Sequence, residues 1–302
     1  MLTRVLFYLI VLPLSYVPME GLYRLSDILY WVVYRFGAYR KTVVIENLRK
    51  SFPEKSYAEI LLIASHFYRH FCDLIVESIK GFSISKNEIL ERVRVSNPEI
   101  LEKYFKQGRS VIIAGGHYNN WEWMAMAIAP QIGHLPVGIY TRLSNVFFEE
   151  KMKASRERFG LKMLEKKDVP AFFREENEHP TRPKTATFFG IDQSPGDPRK
   201  AHWLKFLNQD TGVQFGAEKY AKDYNQPVLF GVIRKTTRGM YTFEVHEVSP
   251  DPKSEGPGAI IEKITALIEA EIRQDPRYWL WTHRRWKHRK PLDMKPELGP
   301  KA

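Results

Sequence analysis

Residues 115–123 read GGHYNNWEW, with a histidine and a glutamate five positions apart directly after the apolar run SVIIA (110–114). An imidazole with a carboxylate partner can take a proton from a hydroxyl or amine, while the carboxylate holds the tautomer and stabilises the imidazolium that forms. The spacing alone carries little weight. Nine histidines among 35 acidic residues give about one such match by accident. This chain has three: His117/Glu122, His246/Asp251 and His288/Asp293.

Context separates them. His246 lies inside an alternating strand with Asp251 beyond the turn at Pro250, so the side chains diverge, and Pro291 separates His288 from Asp293. His117 instead ends a buried strand after Gly115-Gly116, at the turn into a helix starting near Asn119. Ligands of open α/β sheets bind just past the carboxyl ends of strands. A helix N-terminus there offers free N–H groups to developing negative charge, and two glycines let the backbone approach a substrate closely. The alternative is a structural histidine at a strand end, and the residues alone leave both open. There is no G-x-S-x-G, and Cys72 is far away in sequence. Direct attack of an acceptor on an activated acyl group is therefore more economical than a covalent acyl-enzyme.

The elements that must position this pair follow from hydrophobic period. Ser56 and Glu59 have the spacing of a capping box, and Ile60, Ile63, Phe67, Phe71, Leu74 and Ile75 form a stripe, so a helix is expected over 57–80. Strands are expected at 110–116, 135–142, 185–192, 226–235 and 240–248, with helices at 119–129, 146–160 and 258–274. The alternation favours an α/β fold with a largely parallel central sheet flanked by helices. The Pro- and charge-rich stretches 175–184 and 194–202 read as loops.

The first 40 residues differ. Val5 to Val17 is apolar but shorter than the roughly 20 residues a spanning helix needs, and it carries Pro13. SYVPMEG offers no small-residue cleavage site for a signal peptide. Over 21–37, Leu22, Leu25, Ile28, Leu29, Val32 and Val33 share one helical face. Residues 1–40 thus read as a retained anchor that dips into or lies on a membrane, with a pair of buried core helices as the alternative. Residues 41–302 then form the α/β domain. Arg35, Arg40, Lys41, Arg49 and Lys50 follow the apolar part, a cationic flank that favours the cytoplasmic side.

A net charge of +11 favours an anionic partner. Residues 277–290, RYWLWTHRRWKHRK, hold six Lys/Arg and no acid, interleaved with three Trp and one Tyr. The mixture suits a membrane interface and would equally suit stacking on single-stranded nucleic acid. With one cysteine, no disulfide can form within the chain, which fits a reducing compartment, and Cys72 reads as core. The histidines are scattered without ligand spacing, so no metal is expected.

Several blocks, in order, resemble the bacterial lipid A (lauroyl/myristoyl) late acyltransferases and related lysophospholipid-type acyltransferases: VIENLRKSFPEKS (44–56), GGHYNNWE, YTRLSNVFFEEKMKASRERFG (140–160), FFGIDQSPG (188–196), FLNQDTGVQFGAEKYAKDYNQPVL (206–229) and DPRYWLWTHRRWKHRKP (275–291). The resemblance implies a glycerolipid acyltransferase-like α/β fold behind an N-terminal membrane anchor. It puts His117 and Glu122 in the acid–base roles and Arg142, Asn145, Arg156, Asp192 and Gln193 at recurrent polar positions. It implies no cofactor. The donor would be an acyl thioester, usually of acyl carrier protein with coenzyme A as the other possibility, and the acceptor a lipid of the bacterial inner membrane reached from the cytoplasmic face; nucleic acid is not an expected partner. The segment after Gln193 departs from the pattern, and His202, Trp203 and Lys205 there would fit a different acceptor headgroup.

Read on their own chemistry, Arg142 is either a phosphate clamp or a surface residue paired with Glu149 or Glu150. Arg156 in SRER is either a ligand or part of a solvated helix face. Asp192 at a strand end either helps position the His–Glu pair or holds a loop. Two classes of function remain: an O-acyltransferase acting on a lipid A precursor or on a lysophospholipid, aminolipid or pigment alcohol, and a non-catalytic basic protein binding lipid or nucleic acid.

Overall fold

The computed structural model describes residues 2–35 and 39–291. Asp293 of the third His–acid spacing, and the last residues of the apolar stretch 21–37, lie outside the described residues. The chain begins with α1 (Leu2–Leu6), a π-helical turn (Phe7–Val11), α2 (Leu12–Ser15), α3 (Met19–Arg35), α4 (Lys41–Ser51), α5 (Tyr57–Lys80) and α6 (Lys86–Arg92). There follow β1 (Val93–Val95), α7 (Pro98–Lys106), β2 (Val111–Gly115), α8 (Trp121–Ala127), β3 (Leu135–Tyr140), α9 (Val146–Glu157), β4 (Lys162–Glu165), α10 (Val169–Glu178) and β5 (Thr185–Gly190). The last part holds β6 (Ala201–Phe206), β7 (Gln209–Gln214), α11 (Gly216–Tyr224), β8 (Val228–Thr237), β9 (Met240–Ser249) and α12 (Ala259–Gln274).

Seven strands form one sheet in the order β1-β9-β8-β2-β5-β3-β4, parallel at every pairing except the β8–β9 hairpin. The expected mixed α/β class with a largely parallel sheet is therefore present. β2 sits at the centre, and its first four residues are all buried, as a strand covered on both faces must be. Val111 and Ile113 face one apolar cluster with Trp123 and Met126 of α8. Ile112 and Ala114 face the other, with Phe173 of α10, Ala217 of α11 and Ile264 of α12.

The helix over 57–80 has the expected start. Ser56 Oγ accepts the Glu59 N–H, and Glu59 Oε2 accepts the Ser56 N–H at 2.8 Å. Residues 194–202 are only partly a loop: β6 starts at Ala201 and pairs antiparallel with β7. The two turn residues, Leu207 and Asn208, both have left-handed φ (49° and 64°). Such two-residue turns are normally marked by Asn-Gly or Asp-Gly, so the sequence carried a weak hairpin signal; burial of Leu207 and the bond from its N–H to Glu269 Oε2 (2.9 Å) hold the turn instead. Residues 175–178 continue α10 rather than opening a loop.

No helix among the described residues is long and apolar enough to cross a membrane. The N-terminal helices pack on the domain by one side only. Phe7 is buried against Phe82 and Phe147, and α3 is tied to α5 by Ser26 Oγ donating to Asp73 at 2.8 Å and Tyr23 Oη donating to Glu77 at 2.7 Å. The opposite side bares Leu2 (71 % exposed), Leu9 (72 %) and Ile28 (61 %).

Candidate active site

His117 follows the carboxyl end of the central strand β2. In register beside Gly115 lie Gly231 of β8 and Gly190 of β5, a row across three strands without side chains. A Cβ on Gly190 would sit 2.8 Å from His117 Cε1, so glycine is what lets the imidazole lie over the strand end. The turn after His117 is fixed from several sides. Asn119 has φ 57° and donates from Nδ2 to Ile233 O at 2.8 Å. Asn120 caps α8 through the Trp123 N–H (2.8 Å) and donates to the buried Glu77 at 2.7 Å.

The carboxylate on the imidazole is that of Asp192, two residues beyond β5. Its Oδ1 lies 2.7 Å from His117 Nδ1, and its Oδ2 accepts the His117 backbone N–H (2.7 Å) and Trp279 Nε1–H (2.8 Å). The side chain of Asp192 is 3 % exposed and that of His117 is 23 % exposed, so the pair is sealed behind and open in front. Burial opposes charge on both groups, and their mutual attraction overcomes it. Asp192 is held down at about 2, and the His117 imidazole is raised above its ordinary value. With Nδ1–H donated to Asp192, the lone pair of Nε2 meets the Gln193 amide at 3.2 Å; the network assigns this tautomer.

Glu122 does not take the orienting position expected of it. Both its oxygens are held by the fork of Arg156, Nε to Oε2 at 2.7 Å and Nη2 to Oε1 at 2.6 Å, a bidentate pairing that uses the carboxylate fully. Arg156 is therefore paired and only partly exposed rather than on a solvated face, and both residues line the cleft in front of His117. Asn145 is the cap of α9: its Oδ1 accepts the Phe148 N–H (3.0 Å) and its Nδ2 donates to Thr3 Oγ1 (3.0 Å). Arg142 is exposed past the end of β3 and makes no hydrogen bond among the described residues. Glu149, an expected partner for it, is buried and accepts the Leu143 N–H at 2.9 Å. Among the described residues no group of three or more His, Cys, Asp or Glu could hold a metal ion.

Sequence reasoning missed the contribution of the C-terminal segment. Its composition suits a segment packed on the domain with its cations toward lipid or carrier protein, and Arg284, Lys287, Arg289 and Lys290 are exposed. Trp279, Trp281 and Arg285, however, are buried beneath the site. His283 Nε2 accepts the Ser194 N–H at 3.0 Å, and His288 Nε2 lies 3.1 Å from Pro195 O, so the segment also grips the loop that carries Asp192 and Gln193. Burial pushes His283 down to about 4, which keeps it a neutral acceptor. Trp and basic residues are interleaved throughout 277–290, so no signal in the sequence separates the inward residues from the outward ones.

The cleft has a volume of about 930 Å³ and bends round the carboxyl edge of the sheet. On the α8 side it runs over Ile113, Phe188, Gly138 and Met163, register neighbours across β2, β5, β3 and β4, under Met124 and Ile128. This arm is apolar. On the opposite side it is lined by Phe189, Gln214, Tyr220, Lys166, Lys200 and Lys219. His117 stands at the bend.

Comparison with known proteins gives two findings. The family model described as bacterial lipid A biosynthesis acyltransferase matches residues 2–288. The chain is also 23 % identical over 266 residues, 87 % of its length and 82 % of the relative's, to a protein of Haemophilus influenzae (strain ATCC 51907 / DSM 11121 / KW20 / Rd) named lipid A biosynthesis acyltransferase.

Proposed function

Since the chain belongs to the bacterial lipid A biosynthesis acyltransferase family and is an acyltransferase, we propose that it moves a fatty acyl chain from a thioester, that of acyl carrier protein, to a hydroxyl of a lipid A precursor or related lipid, with His117 as the general base. The observation that carries this reading is the pairing of His117 with buried Asp192 at the mouth of an apolar arm. His117 Nε2 takes the proton of the acceptor hydroxyl as its oxygen bonds to the thioester carbonyl carbon. The tetrahedral intermediate then breaks its C–S bond, and the proton passes from the imidazolium to the leaving thiolate. Asp192, not Glu122, holds the imidazole in the productive tautomer and offsets its transient charge. The apolar arm over Ile113, Gly138 and Met163 takes the acyl chain. The Glu122–Arg156 pair walls the reacting centre, and Gln193 releases Nε2 to the acceptor.

The location we infer is the cytoplasmic face of the bacterial inner membrane, with residues 1–40 lying on the lipid rather than crossing it. Leu2, Val5, Leu6, Leu9 and Ile10 are exposed, with Arg4 and Lys151 stacked on the neighbouring aromatic rings. Apolar side chains flanked by cations suit an anionic interface. Leu143, exposed and 42 % open to solvent, also lines the cleft, so a lipid would enter from this surface. The exposed cations of the C-terminal segment would face the acidic carrier.

The test is incubation of the purified protein with membrane lipid extract and labelled acyl carrier protein thioesters, with His117→Ala in parallel and products read by mass spectrometry. A lipid gaining one acyl mass with wild type but not with the variant supports the reading and names the acceptor. Silence from both, across chain lengths and with coenzyme A donors, would sink it.

A further inference from the structure

Arg285 is 3 % exposed, and among the described residues its hydrogen-bond partner is a backbone carbonyl, not a carboxylate. Its Nη2 donates to Gly212 O at 2.8 Å, while Nε–H is buried without a hydrogen-bond acceptor. A buried cation with so little local compensation is costly unless an anion nearby offsets it. The anion that acts on it is Asp192, and both residues border the same small void behind the catalytic pair, with Ile191, Phe206, Val213 and Ile268. Burial brings the guanidinium down to about 10, still protonated at neutral pH.

The chemistry requires a particular charge arrangement. A general base must be neutral before it acts, so the buried Asp192 must remain an anion while its hydrogen-bond partner carries no charge. The other cations nearby do not serve. Arg156 lowers the His117 pKa, but it is paired with Glu122, which raises it; His283 is neutral, and Lys287 is exposed. We infer that Arg285 is a positioning residue for the reaction: it acts through Asp192, supplying the buried positive charge that lets Asp192 stay ionised beside an uncharged His117. Without it, the pair would regain neutrality by protonating His117.

This inference rests on His117 being the base, and its primary test does not require turnover. The His117 imidazole is titrated by NMR in wild type, Arg285→Gln and Arg285→Lys, and the acid limb of kcat/KM is followed in the same proteins. Gln keeps a donor for Gly212 and removes the charge; Lys keeps the charge. The expected result is a rise of about one pH unit in the His117 pKa and in the acid limb with Gln, and near-wild-type values with Lys. A purely structural Arg285 would instead lower stability and kcat at every pH without moving either titration, and that outcome overturns the inference. If the NMR shift appears but no acyl transfer is seen in any variant, the assigned reaction fails and the charge coupling stands. If Arg285→Gln alone does not fold, it is made with Asp192→Asn. Recovery of folding is expected because the stranded anion is gone, and failure to fold in both backgrounds counts against the inference.

Discussion

Asp192 holds His117 at two points, the ring through Nδ1 and the backbone through its N–H, each at 2.7 Å. The imidazole is thus fixed in both orientation and height above the strand end. The same carboxylate raises the His117 pKa, and with His117 as the proposed base this sets the pH dependence of the reaction. Because the base must be neutral, the acid limb of kcat/KM is expected above the ordinary histidine value of 6.5. In Asp192→Asn that limb moves down, since the anion that favoured the imidazolium is gone, and kcat falls by roughly 10²- to 10⁴-fold. A pH–rate profile of both proteins measures the two effects. An unmoved limb in the variant would separate Asp192 from the base.

Glu122 and Arg156 are expected to act as a unit. Either Glu122→Gln or Arg156→Met alone leaves a largely buried charge without its partner, so the losses of the two single changes add to more than the loss of the double change. A double-mutant cycle in thermal or urea unfolding should give a coupling of about 1–3 kcal/mol. Coupling near zero would mean that the fork contributes nothing measurable.

Glu77 makes the opposite pH contribution to Asp192. Burial pushes its carboxyl up to about 7, although Tyr23, Tyr241 and Asn120 all donate to it. A folded acid with a raised pKa binds more protons than the unfolded chain. Its stabilisation is complete below about 4.5 and is lost as pH rises through about 7, an effect of roughly 3 kcal/mol. Asp192, held down at about 2, loses its stabilising effect as pH falls instead. Glu77→Gln should therefore flatten unfolding stability between pH 4.5 and 7, and an unchanged slope would exclude Glu77 as its source.

The lipid contact proposed for the N-terminal helices predicts a separable defect. Leu9→Glu, at a residue 72 % exposed, removes no buried contact and should leave the fold intact. It should weaken sedimentation with vesicles containing anionic lipid by several-fold, with little effect on a detergent-dispersed acceptor. Equal vesicle binding by wild type and variant would move the lipid contact elsewhere.

Much of the scaffold was legible because local rules governed it. The capping box at Ser56, the buried run of β2 and the stripe of α5 each follow from neighbours within a few positions. His117 was also identifiable, from its place after Gly115-Gly116 at a strand end. What sequence could not supply was pairing at a distance. The choice between Glu122 and Asp192 as its partner depends on β2 and β5 lying side by side and on Arg156 of α9 reaching Glu122 first. Three-residue β1 and four-residue β4 are too short for a clear period, and the β6–β7 turn uses Leu207 where a glycine-containing turn would have announced itself. The inward roles of Trp279 and Arg285 were hidden by composition, since a run of Trp and Arg looks alike whether it faces lipid or fills the space beneath a carboxylate.

That placement also bears on how the protein matures. The residues that complete the support of Asp192 begin at Trp279, 87 positions further along the chain, and a ribosome makes them long after β2 and β5. While they are still unmade, β2 and β5 can pair, but Asp192 lacks the bond from Trp279 and the buried side chains beneath it. That support would arrive late, and a proteolytic cut just before Trp279 would remove the bond from Trp279 to Asp192 together with two tryptophans of the buried core.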